Sequence, residues 1–477
     1  MEPFALVIFG ITSNLAQIKL IPALYDMAEK GLLPKKMAIV GVARKPLDPK
    51  QVQKLIKEAV TKENVHHRHS AKAAVLKDLA SKVSYVPGNL DDPNFFQQLR
   101  AHLQGLSTQG IKNTIFYLAT YPDLYADTFK NLKRSGLNTQ TDGSWVRLMI
   151  EKPIGSDLES AKKLNQLLAK YFSEDQIFRL DHYLGKETLQ NILTFRFGND
   201  VFEPLINKDY VDHIQISALE SFGIGKRGGY YDSVGALKDV GQNHQLQMLA
   251  FATMDAPAQF TNRAVTDQRI KILQKLVPLP KKVVFGQYQG YLQEESVNPN
   301  SKVDTFYALK TFISNGKLKD VPIYIRAGKK LGLKTSEVAQ IAIVFKKPVN
   351  RLFKNLDGGD NPNVLIYRIQ PNEGIGLYIL TKKPGHATLL EPSFMEFGYK
   401  HQSQSHYLPD PYERLLMDAI KGDQTFFNDA EEVEAQWAFI DPLVAQRKKP
   451  ITYSSSSLGP KEADKLIEAD GRQWLDL

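Results

Sequence analysis

The amino-acid sequence predicts an α/β domain built on a doubly wound parallel sheet, followed by a larger α+β domain built on a mainly antiparallel sheet with helices. With 477 residues, the chain exceeds the roughly 250 to 300 residues that one hydrophobic core supports. Short apolar runs alternate with helical patterns up to about residue 180, which is typical of parallel sheets. Beyond that point, polar and apolar residues alternate in successive short segments. We therefore expect domains at 1–180 and 181–477.

The strands and helices of the first domain follow from this alternation. Five short apolar runs predict strands that are buried on both faces. They lie at 4–10, 37–41, 83–86, 114–118 and 146–150. A helix is predicted over 14–30, and Gly31 follows its end. Because doubly wound sheets bind ligands at the carboxyl ends of their strands, we expect a binding site at that edge.

The second domain shows a period of two residues over most of its length. This alternation predicts half-buried strands in a large antiparallel sheet with one covered face. The strands are expected at 212–220, 283–292, 305–313, 321–326, 338–345, 364–369 and 375–380. Helices are expected from near His182, at 411–422 and at 430–446.

Composition and charge exclude several classes of protein. Apolar residues make up 43% of the chain, yet no uncharged apolar run approaches the roughly 18 residues of a membrane helix. Cysteine is absent, which excludes disulfides, thiolate metal ligands and a cysteine nucleophile. The residues after Met1 lack the pattern of a secretory signal. We therefore expect a cytoplasmic protein without membrane association.

The basic residues do not form the runs that are typical of nucleic-acid binding. The net charge is +9, from 61 basic and 52 acidic residues that are interspersed. This pattern is typical of a solvated surface, and the alternative is that part of the positive surplus binds small phosphorylated ligands. His66, His67 and His69 form a histidine-rich tract, but no cysteine stands near it. We predict an exposed turn there and no metal site.

Two strand ends carry a partial dinucleotide-binding pattern. Gly10 ends the first strand, and Ser13 and Ala16 are small enough for the backbone to approach a pyrophosphate. A tight strand–helix turn without a ligand explains the same residues. Arg44 ends the second strand, where an arginine accommodates the 2′-phosphate of NADP and an acid would hold the ribose of NAD. Arg44 favours NADP, and an ordinary surface arginine is the alternative.

Two polar clusters suggest chemistry in the middle of the chain. His182 and Lys186 are four residues apart, so on a helix they would share one face, where a sugar phosphate could relieve their repulsion. His244 lies in an otherwise apolar helix. A histidine, whose ordinary pKa is about 6.5, accepts a proton at neutral pH when a carboxylate orients it. A core histidine bonded to a carbonyl is the alternative.

Several motifs together resemble the glucose-6-phosphate dehydrogenase family. The segment Arg-Leu-Asp-His-Tyr-Leu-Gly-Lys-Glu at 179–187 is nearly the signature of that family. Further motifs follow in the family's order at 151–155 (Glu-Lys-Pro-Ile-Gly), 229–232 (Gly-Tyr-Tyr-Asp), 242–244 (Gln-Asn-His), 325–331 (Ile-Arg-Ala-Gly-Lys-Lys-Leu) and 411–416 (Pro-Tyr-Glu-Arg-Leu-Leu). The resemblance extends over most of the chain, so its implications can be assigned residue by residue.

The resemblance implies roles for individual residues. His244 matches the base that takes the proton from the C1 hydroxyl of the sugar, and Asp181 matches the carboxylate that orients it. The residues that match the substrate site are His182, Tyr183 and Lys186 for the phosphate, Glu220 and Asp239 for sugar hydroxyls, Lys329 and Lys334 in the pocket, and Lys152 between sugar and nicotinamide. The cofactor residues are expected to be Gly10, Ser13, Asn14, Leu15, Arg44, Asn89, Leu90 and Lys152. Pro153 is expected to follow a cis peptide bond.

The cofactor turn departs from the family pattern. Ile11, Ser13 and Asn14 stand where the family usually has a small residue, Gly and Asp. Asn89 stands where Asp is common. The β-branched Ile11 does not readily adopt a positive φ. Either the turn differs slightly or the cofactor is held less tightly.

The resemblance implies an NADP-dependent dehydrogenase that oxidises glucose 6-phosphate at C1 to the lactone, the first step of the oxidative pentose phosphate pathway. NAD use stays open, and a homodimer built on the large sheet is expected. Two alternatives remain at this point. One is a non-catalytic sugar-phosphate sensor, against which the retained His244 argues, and the other is a dehydrogenase for another phosphorylated aldose.

Overall fold

The computed structural model describes residues 1–61, 71–140, 143–347, 352–353, 361–399 and 407–475, and the histidine tract lies outside them. The chain forms two compact units. The first unit comprises 1–155, 159–185 and 409–430, and the second comprises 156–158, 186–408 and 431–477. The first unit therefore extends beyond the expected boundary near residue 180, and it includes a segment that the sequence assigned to the second domain.

A six-stranded parallel sheet forms the centre of the first unit. Its strands are β1 (Phe4–Phe9), β2 (Met37–Ala43), β3 (Val83–Pro87), β4 (Asn113–Leu118), β5 (Val146–Ile150) and β6 (Ile177–Arg179). The order β3-β2-β1-β4-β5-β6 is that of a Rossmann-like dinucleotide-binding fold, which confirms the predicted class. All five predicted strands are present, and the short β6 was not predicted.

Helices connect these strands. They are α1 (Ile21–Glu29), α2 (Pro49–Thr61), α3 (Ala73–Ser81), α4 (Pro93–Thr108), α5 (Tyr125–Arg134) and α6 (Leu158–Tyr171). All six residues of β1 and all six of β4 are buried, because crossover helices cover both faces of a parallel sheet. A π-helical stretch, Ala16–Leu20, precedes α1 within the predicted helix.

The second unit is built on a nine-stranded sheet. Its strands are β7 (Val211–Glu220), β8 (Val283–Tyr288), β9 (Phe306–Thr311), β10 (Ile323–Gly328), β11 (Glu337–Phe345), β12 (Val364–Gln370), β13 (Gly374–Lys382), β14 (Leu390–Gly398) and β15 (Ile451–Tyr453). The order is β14-β13-β12-β11-β7-β10-β9-β8-β15. All neighbours are antiparallel except β10 with β7 and β15 with β8, which confirms the mainly antiparallel prediction. The strands β14 and β15 were not predicted.

The remaining helices are α7 (Glu187–Phe197), α8 (Gly228–Val234), α9 (Leu246–Thr253), α10 (Asn262–Leu273), α11 (Pro411–Lys421), α12 (Ala430–Val444) and α13 (Lys461–Glu468). A second π-helical stretch, Leu237–Gln245, precedes α9. Such stretches are rare and occur frequently at functional sites. In the part of the chain that the structure describes, no helix is both long and apolar enough to cross a membrane.

Helix α11 belongs to the first unit, and its C-terminal end is anchored to β5. Asp410 and Glu413 form a reciprocal capping box at its N-terminus. At its other end, Arg147 of β5 donates hydrogen bonds to the carbonyls of Ala419 (2.7 Å) and Ile420 (2.6 Å). The last carbonyls of an α-helix lack donors within the helix itself, so Arg147 satisfies two of them and ties the helix end to the parallel sheet.

The buried acid Asp418 on α11 makes the stability of the first unit depend on pH. Asp418 is 6% exposed, and Arg414 Nε lies 3.6 Å from its Oδ2. Burial raises the pKa of Asp418 to about 6, with Asp423 adding to the rise and Arg414 opposing it. Because this pKa exceeds the unfolded value, the folded state binds the proton more tightly, and the charged carboxylate costs stability above pH 6.

We expect Asp418→Asn to raise the free energy of unfolding by about 1 to 3 kcal/mol at neutral pH. The gain should shrink as the pH falls from 6 toward the unfolded pKa of 3.8, because the wild-type carboxyl is then neutral in the folded state. Urea unfolding of both proteins at pH 7.5 and pH 4.5 measures this. An equal difference at the two pH values would contradict the assignment.

Candidate active site

Gly10 starts the turn between β1 and the helix that follows. Its φ is +86°, and a Cβ at this position would lie 2.6 Å from the carbonyl oxygen of Ala119. The Gly10 N–H donates to the carbonyl of Val42 over 2.8 Å. Only glycine fits this conformation and this space. The next helix therefore begins directly after the sheet, where its N-terminus favours an anion such as a pyrophosphate.

Ser13 caps this helix by accepting a hydrogen bond, and its hydroxyl can still donate one. Ser13 Oγ accepts a hydrogen bond from the Ala16 N–H (3.2 Å). A hydroxyl that accepts in this way still has one proton to donate, so Ser13 can donate to a phosphate oxygen. Asn14 is exposed and Leu15 is half-buried in the first turn.

Ile11 explains how the turn accommodates its departure from the family pattern. Its side chain is 1% exposed, and a Cβ on Gly41 would lie 2.6 Å from Ile11 Cδ1. Ile11 thus occupies the space above Gly41 in β2, and its φ is not positive. The large residue packs into the core between two strands, and the turn needs no strained backbone at this position.

The backbone around Arg44 is held by a residue that sequence reasoning missed. Arg44 follows β2 and is exposed. Tyr85 of β3 donates from its hydroxyl to the carbonyls of Ala43 (3.2 Å) and Lys45, on either side of Arg44. Burial raises the pKa of Tyr85, so the phenol stays a donor. No sequence signal distinguished Tyr85 from an ordinary strand residue.

The ends of β3 and β5 carry the other expected cofactor residues. Asn89 is exposed, and Leu90 is buried with its carbonyl accepting from Asn131 Nδ2 (3.1 Å). Lys152 is half-buried after β5. The Lys152–Pro153 peptide bond is cis, as the family resemblance implied.

The half-buried Glu151 precedes Lys152. Tyr117 donates to Glu151 Oε1 over 2.5 Å, and Tyr412 of α11 also donates to this carboxyl. Burial raises the pKa of Glu151, whereas the two tyrosines and Lys152 oppose the rise. Asp181 acts in the same direction as burial, so Glu151 and Asp181 lie within electrostatic reach of each other.

Asp181 and its neighbours form a compact turn after β6. Asp181 is 1% exposed, and its Oδ1 accepts from the Tyr183 N–H over 3.0 Å. His182 stacks on Tyr412, with ring centroids 6.4 Å apart and planes inclined by 12°. Tyr412 reaches this turn because the segment 409–430 joins the first unit. The only sequence signal that pointed to Tyr412 was the family motif at 411–416.

The prediction that His182 and Lys186 share one helical face is wrong. His182–Gly185 is a 3₁₀ turn, and α7 begins only at Glu187. Lys186 lies between them in extended conformation, with φ −75° and ψ 131°. A four-residue spacing aligns side chains only in a continuous α-helix. In the second unit, Lys186 Nζ donates to Gln370 Oε1 at the end of β12.

Asp239 and His244 both lie on the π-helical stretch Leu237–Gln245. His244 is 2% exposed and Asp239 is 7% exposed. The His244 N–H donates to Asn243 Oδ1 over 2.6 Å. The i→i+5 hydrogen bonding of such a stretch brings residues five apart onto neighbouring turns. Periodicity alone predicted an ordinary α-helix here.

Glu220 and Lys329 form an ion pair at the ends of two parallel neighbours. Lys329 Nζ contacts Glu220 Oε2, and Lys329 is 5% exposed. They meet because β7 and β10 are paired in register up to Leu219 opposite Gly328. Lys329 Nζ also lies 5.5 Å from the centre of the Tyr231 ring.

Three acids lie within electrostatic reach of Tyr231. Burial raises the pKa of Tyr231 well above its ordinary value, and Asp239, Asp304 and Glu220 raise it further. Arg227, which the sequence did not indicate, pairs with Asp239 over 3.3 Å and is half exposed. The second unit therefore brings Glu220, Lys329 and Asp239 around one buried phenol. Lys334 is exposed in the loop before β11.

Comparison with known proteins decides which family has this arrangement. Residues 7–191 match the model of the "Glucose-6-phosphate dehydrogenase, NAD binding domain", and residues 193–475 match that of the "Glucose-6-phosphate dehydrogenase, C-terminal domain". The chain belongs to the glucose-6-phosphate dehydrogenase family. The glucose-6-phosphate 1-dehydrogenase of Chlamydia muridarum is 40% identical, over 99% of this chain and 96% of the relative.

Other members of the family agree in sequence and in fold. The Bacillus subtilis enzyme is 35% identical, over 99% of this chain and 98% of the relative. A solved glucose-6-phosphate dehydrogenase in complex with its substrate glucose 6-phosphate superposes with a TM-score of 0.91 at 32% identity, over 100% of this chain and 99% of that chain. The Mycobacterium avium structure gives a TM-score of 0.86 at 31% identity, with 99% of each chain covered.

The contact between Ile11 and Gly41 can be tested by complementary substitutions. Gly41→Ala should lower the free energy of unfolding by about 1 to 3 kcal/mol, because the added methyl overpacks the space that Ile11 fills. In an Ile11→Ala background the same substitution should be tolerated. Chemical denaturation of the two single variants and the double variant measures the coupling.

Gly105→Ala is the matched control for this pair. Gly105 lies in α4, and among the described residues a Cβ added there would meet open space. This substitution should not destabilise the protein, since alanine is the better helix former. If Gly41→Ala cost the same stability with and without Ile11, the packing argument would fail.

Proposed function

We propose that this chain oxidises glucose 6-phosphate at C1 to the 1,5-lactone with NADP as hydride acceptor. The observation that carries the proposal is the similarity over nearly the whole chain to curated glucose-6-phosphate 1-dehydrogenases, with the family's His244 and Asp181 both retained and buried. A sensor would need a phosphate site but no base.

The first unit has the features of a dinucleotide site. Gly10 leaves no room for a side chain, Ser13 keeps a proton to donate, and Arg44 stands exposed at the end of β2. Asn14, Leu15, Asn89, Leu90 and Lys152 complete the proposed set. When bound, the nicotinamide supplies a hydride acceptor. Tyr85 supports this role of Arg44, because it fixes the backbone on both sides of it.

His244 is proposed to accept the proton of the C1 hydroxyl. Its burial keeps competing water away from the imidazole, and the Asn243 side chain orients the backbone there. Asp181 is proposed to stabilise the imidazolium that forms. Because the Tyr183 N–H holds one oxygen of Asp181, the carboxylate is oriented before the substrate binds.

The remaining side chains are proposed to bind the sugar phosphate. His182, Tyr183 and Lys186 are assigned to the phosphate. Glu220 and Asp239 are assigned to hydroxyls, and Lys329 and Lys334 to the same pocket. The pairs Glu220–Lys329 and Asp239–Arg227 hold both acids in place, so each can accept a hydroxyl hydrogen bond without reorganisation.

We further propose that the protein is a cytoplasmic homodimer and that it catalyses the first step of the oxidative pentose phosphate pathway. The dimer rests on the family resemblance and on the exposed edge of the large sheet. Strand β14 ends that sheet, and Phe394 (40%) and Met395 (58%) are exposed on it, beside Tyr378 (38%) of β13. Apolar side chains that are exposed together on an edge strand favour association with a second copy.

An absorbance assay of NADP and NAD reduction with glucose 6-phosphate tests the function. We expect His244→Asn to lower kcat by about 100-fold or more with little change in KM, because only the proton acceptor is lost. His213→Asn is the matched control, since His213 is also buried (5%) but lies within β7. A wild-type protein without turnover on either cofactor would refute the function, and a His244→Asn variant with near-normal kcat would refute only the role of His244.

Cofactor preference can be tested at Arg44 by titrating binding directly. Arg44→Ala should weaken NADP binding by about 10- to 100-fold, the value of one charge-assisted bond to phosphate. NAD lacks the 2′-phosphate, so its affinity should hardly change. Lys45→Ala serves as the control, because this neighbour is also a basic residue and is also exposed. If Arg44→Ala weakened NAD and NADP equally, Arg44 would have a structural role and the preference would be set elsewhere.

A further inference from the structure

We infer that the buried ion pair Asp304–Arg447 positions the segment that carries His244 and Asp239. The two residues lie far apart in the sequence, and Asp304 directly precedes Thr305 and β9. Asp304 is fully buried, with 0% of its side chain exposed, and the Arg447 side chain is 16% exposed. Arg447 Nη2 lies 2.6 Å from Asp304 Oδ1. This inference rests on the proposed function of His244.

The pair contacts the turn from which the π-helical stretch begins. Asp304 Oδ2 accepts from the Leu237 N–H (2.8 Å), and the Asp304 carbonyl accepts from the Ala236 N–H (2.9 Å). Arg447 donates to the carbonyl of Val234 (3.3 Å). One ion pair therefore holds the backbone of the last residue of α8 and of the first residue of the π-helical stretch.

The chemistry of this contact suits a helix start. Leu237 is the first residue of the stretch, and its N–H is one of the donors that a helix leaves unpaired. A carboxylate at this point satisfies that donor and interacts favourably with the helix dipole. Burial raises the pKa of Asp304, whereas Arg447 and the Leu237 N–H oppose the rise and so favour the charged carboxylate.

Gly235 shows that the fit is close. Its φ is +79°, and a Cβ there would lie 2.6 Å from Asp304 Oδ1 and 2.9 Å from Arg447 Nη2. The turn thus brings its backbone directly onto the ion pair. Asp239 and His244 follow on the same stretch, and the Asp239 N–H donates to the Gly235 carbonyl over 2.9 Å. A shift at the pair would move both side chains, so Asp304 and Arg447 are positioning residues.

Steady-state kinetics of Asp304→Asn, Arg447→Met and the double variant test the inference. Each single variant should lower kcat by on the order of 10- to 100-fold, the effect of small misplacements of reacting groups, with KM for NADP unchanged. The double variant should lose no more than either single one, because both break the same pair. Arg447→Lys should recover part of kcat, since it restores the charge.

Glu203→Gln is the matched control. Glu203 pairs with the buried Arg196 (2.8 Å), which donates to the carbonyls of Phe251 and Met254 at the far end of α9. Both substitutions should lower the unfolding midpoint, but only Asp304→Asn should lower kcat. Equal kcat losses in the two variants, or a normal kcat in folded Asp304→Asn, would overturn the positioning role.

Amide hydrogen exchange of residues 236–245, followed by mass spectrometry, requires no activity. Exchange in this segment should be faster in Asp304→Asn than in wild type and should stay unchanged in Glu203→Gln. If the wild type did not turn over glucose 6-phosphate, the proposed function would fail, and exchange alone would decide whether the pair holds the segment. Unchanged exchange in Asp304→Asn would overturn the inference in either case.

Discussion

A charge that is removed from water must be paired, and this constraint determines how the candidate site of the second unit is built. Lys329 is 5% exposed and is stable there because Glu220 neutralises it. Arg269 and Glu432 are both fully buried and pair over 2.8 Å beneath the helix that continues from His244. Breaking such a pair by removing one partner costs about 3 to 5 kcal/mol. The buried charged groups of this unit are therefore restricted to positions in which each one contacts a partner of opposite charge.

The same constraint extends from charges to polar backbone. The stretch 237–245 is buried over most of its length, so its first N–H groups need acceptors. The Asp304 carboxylate accepts from the Leu237 N–H, and the Asp304 carbonyl accepts from the preceding Ala236 N–H. Further along, Gln242 contacts Gln436 (3.2 Å) on α12. The proposed base thus stands on a segment that is tied down at its start and along its side.

In the first unit, the close approach of backbone segments determines how the expected cofactor turn is built. Gly10 and Gly41 sit where any side chain would clash, and Ile11 fills the space that Gly41 leaves. These contacts hold the ends of β1 and β2 against the helix start that a phosphate would need. The returning segment 409–430 adds Tyr412, whose ring stacks on His182 and whose hydroxyl contacts Glu151. Tyr412 therefore makes a packing contact with its ring and a polar contact with its hydroxyl.

The sequence by itself determined the class of both sheets and most of their strands. Continuous apolar runs such as 4–10 and alternating runs such as 212–220 indicate strands that are buried on two faces or on one, because this period is carried by neighbouring residues. The motifs around Asp181 and His244 likewise indicated the family before any geometry was known. Local patterns could not predict β15, which has three residues, or the extended Lys186 that separates the 3₁₀ turn from α7.

The tertiary structure decided what depends on residues far apart in the chain. Arg147 anchors α11 from 272 positions away, and the segment 409–430 belongs to the first unit. Asp304 and Arg447 meet at the turn around Gly235. The residue pattern at 237–245 by itself predicts an ordinary α-helix. A hydrogen bond or ion pair between distant residues leaves no period in the sequence. Such contacts form only when the chain folds. They position the residues that the sequence motifs had already identified.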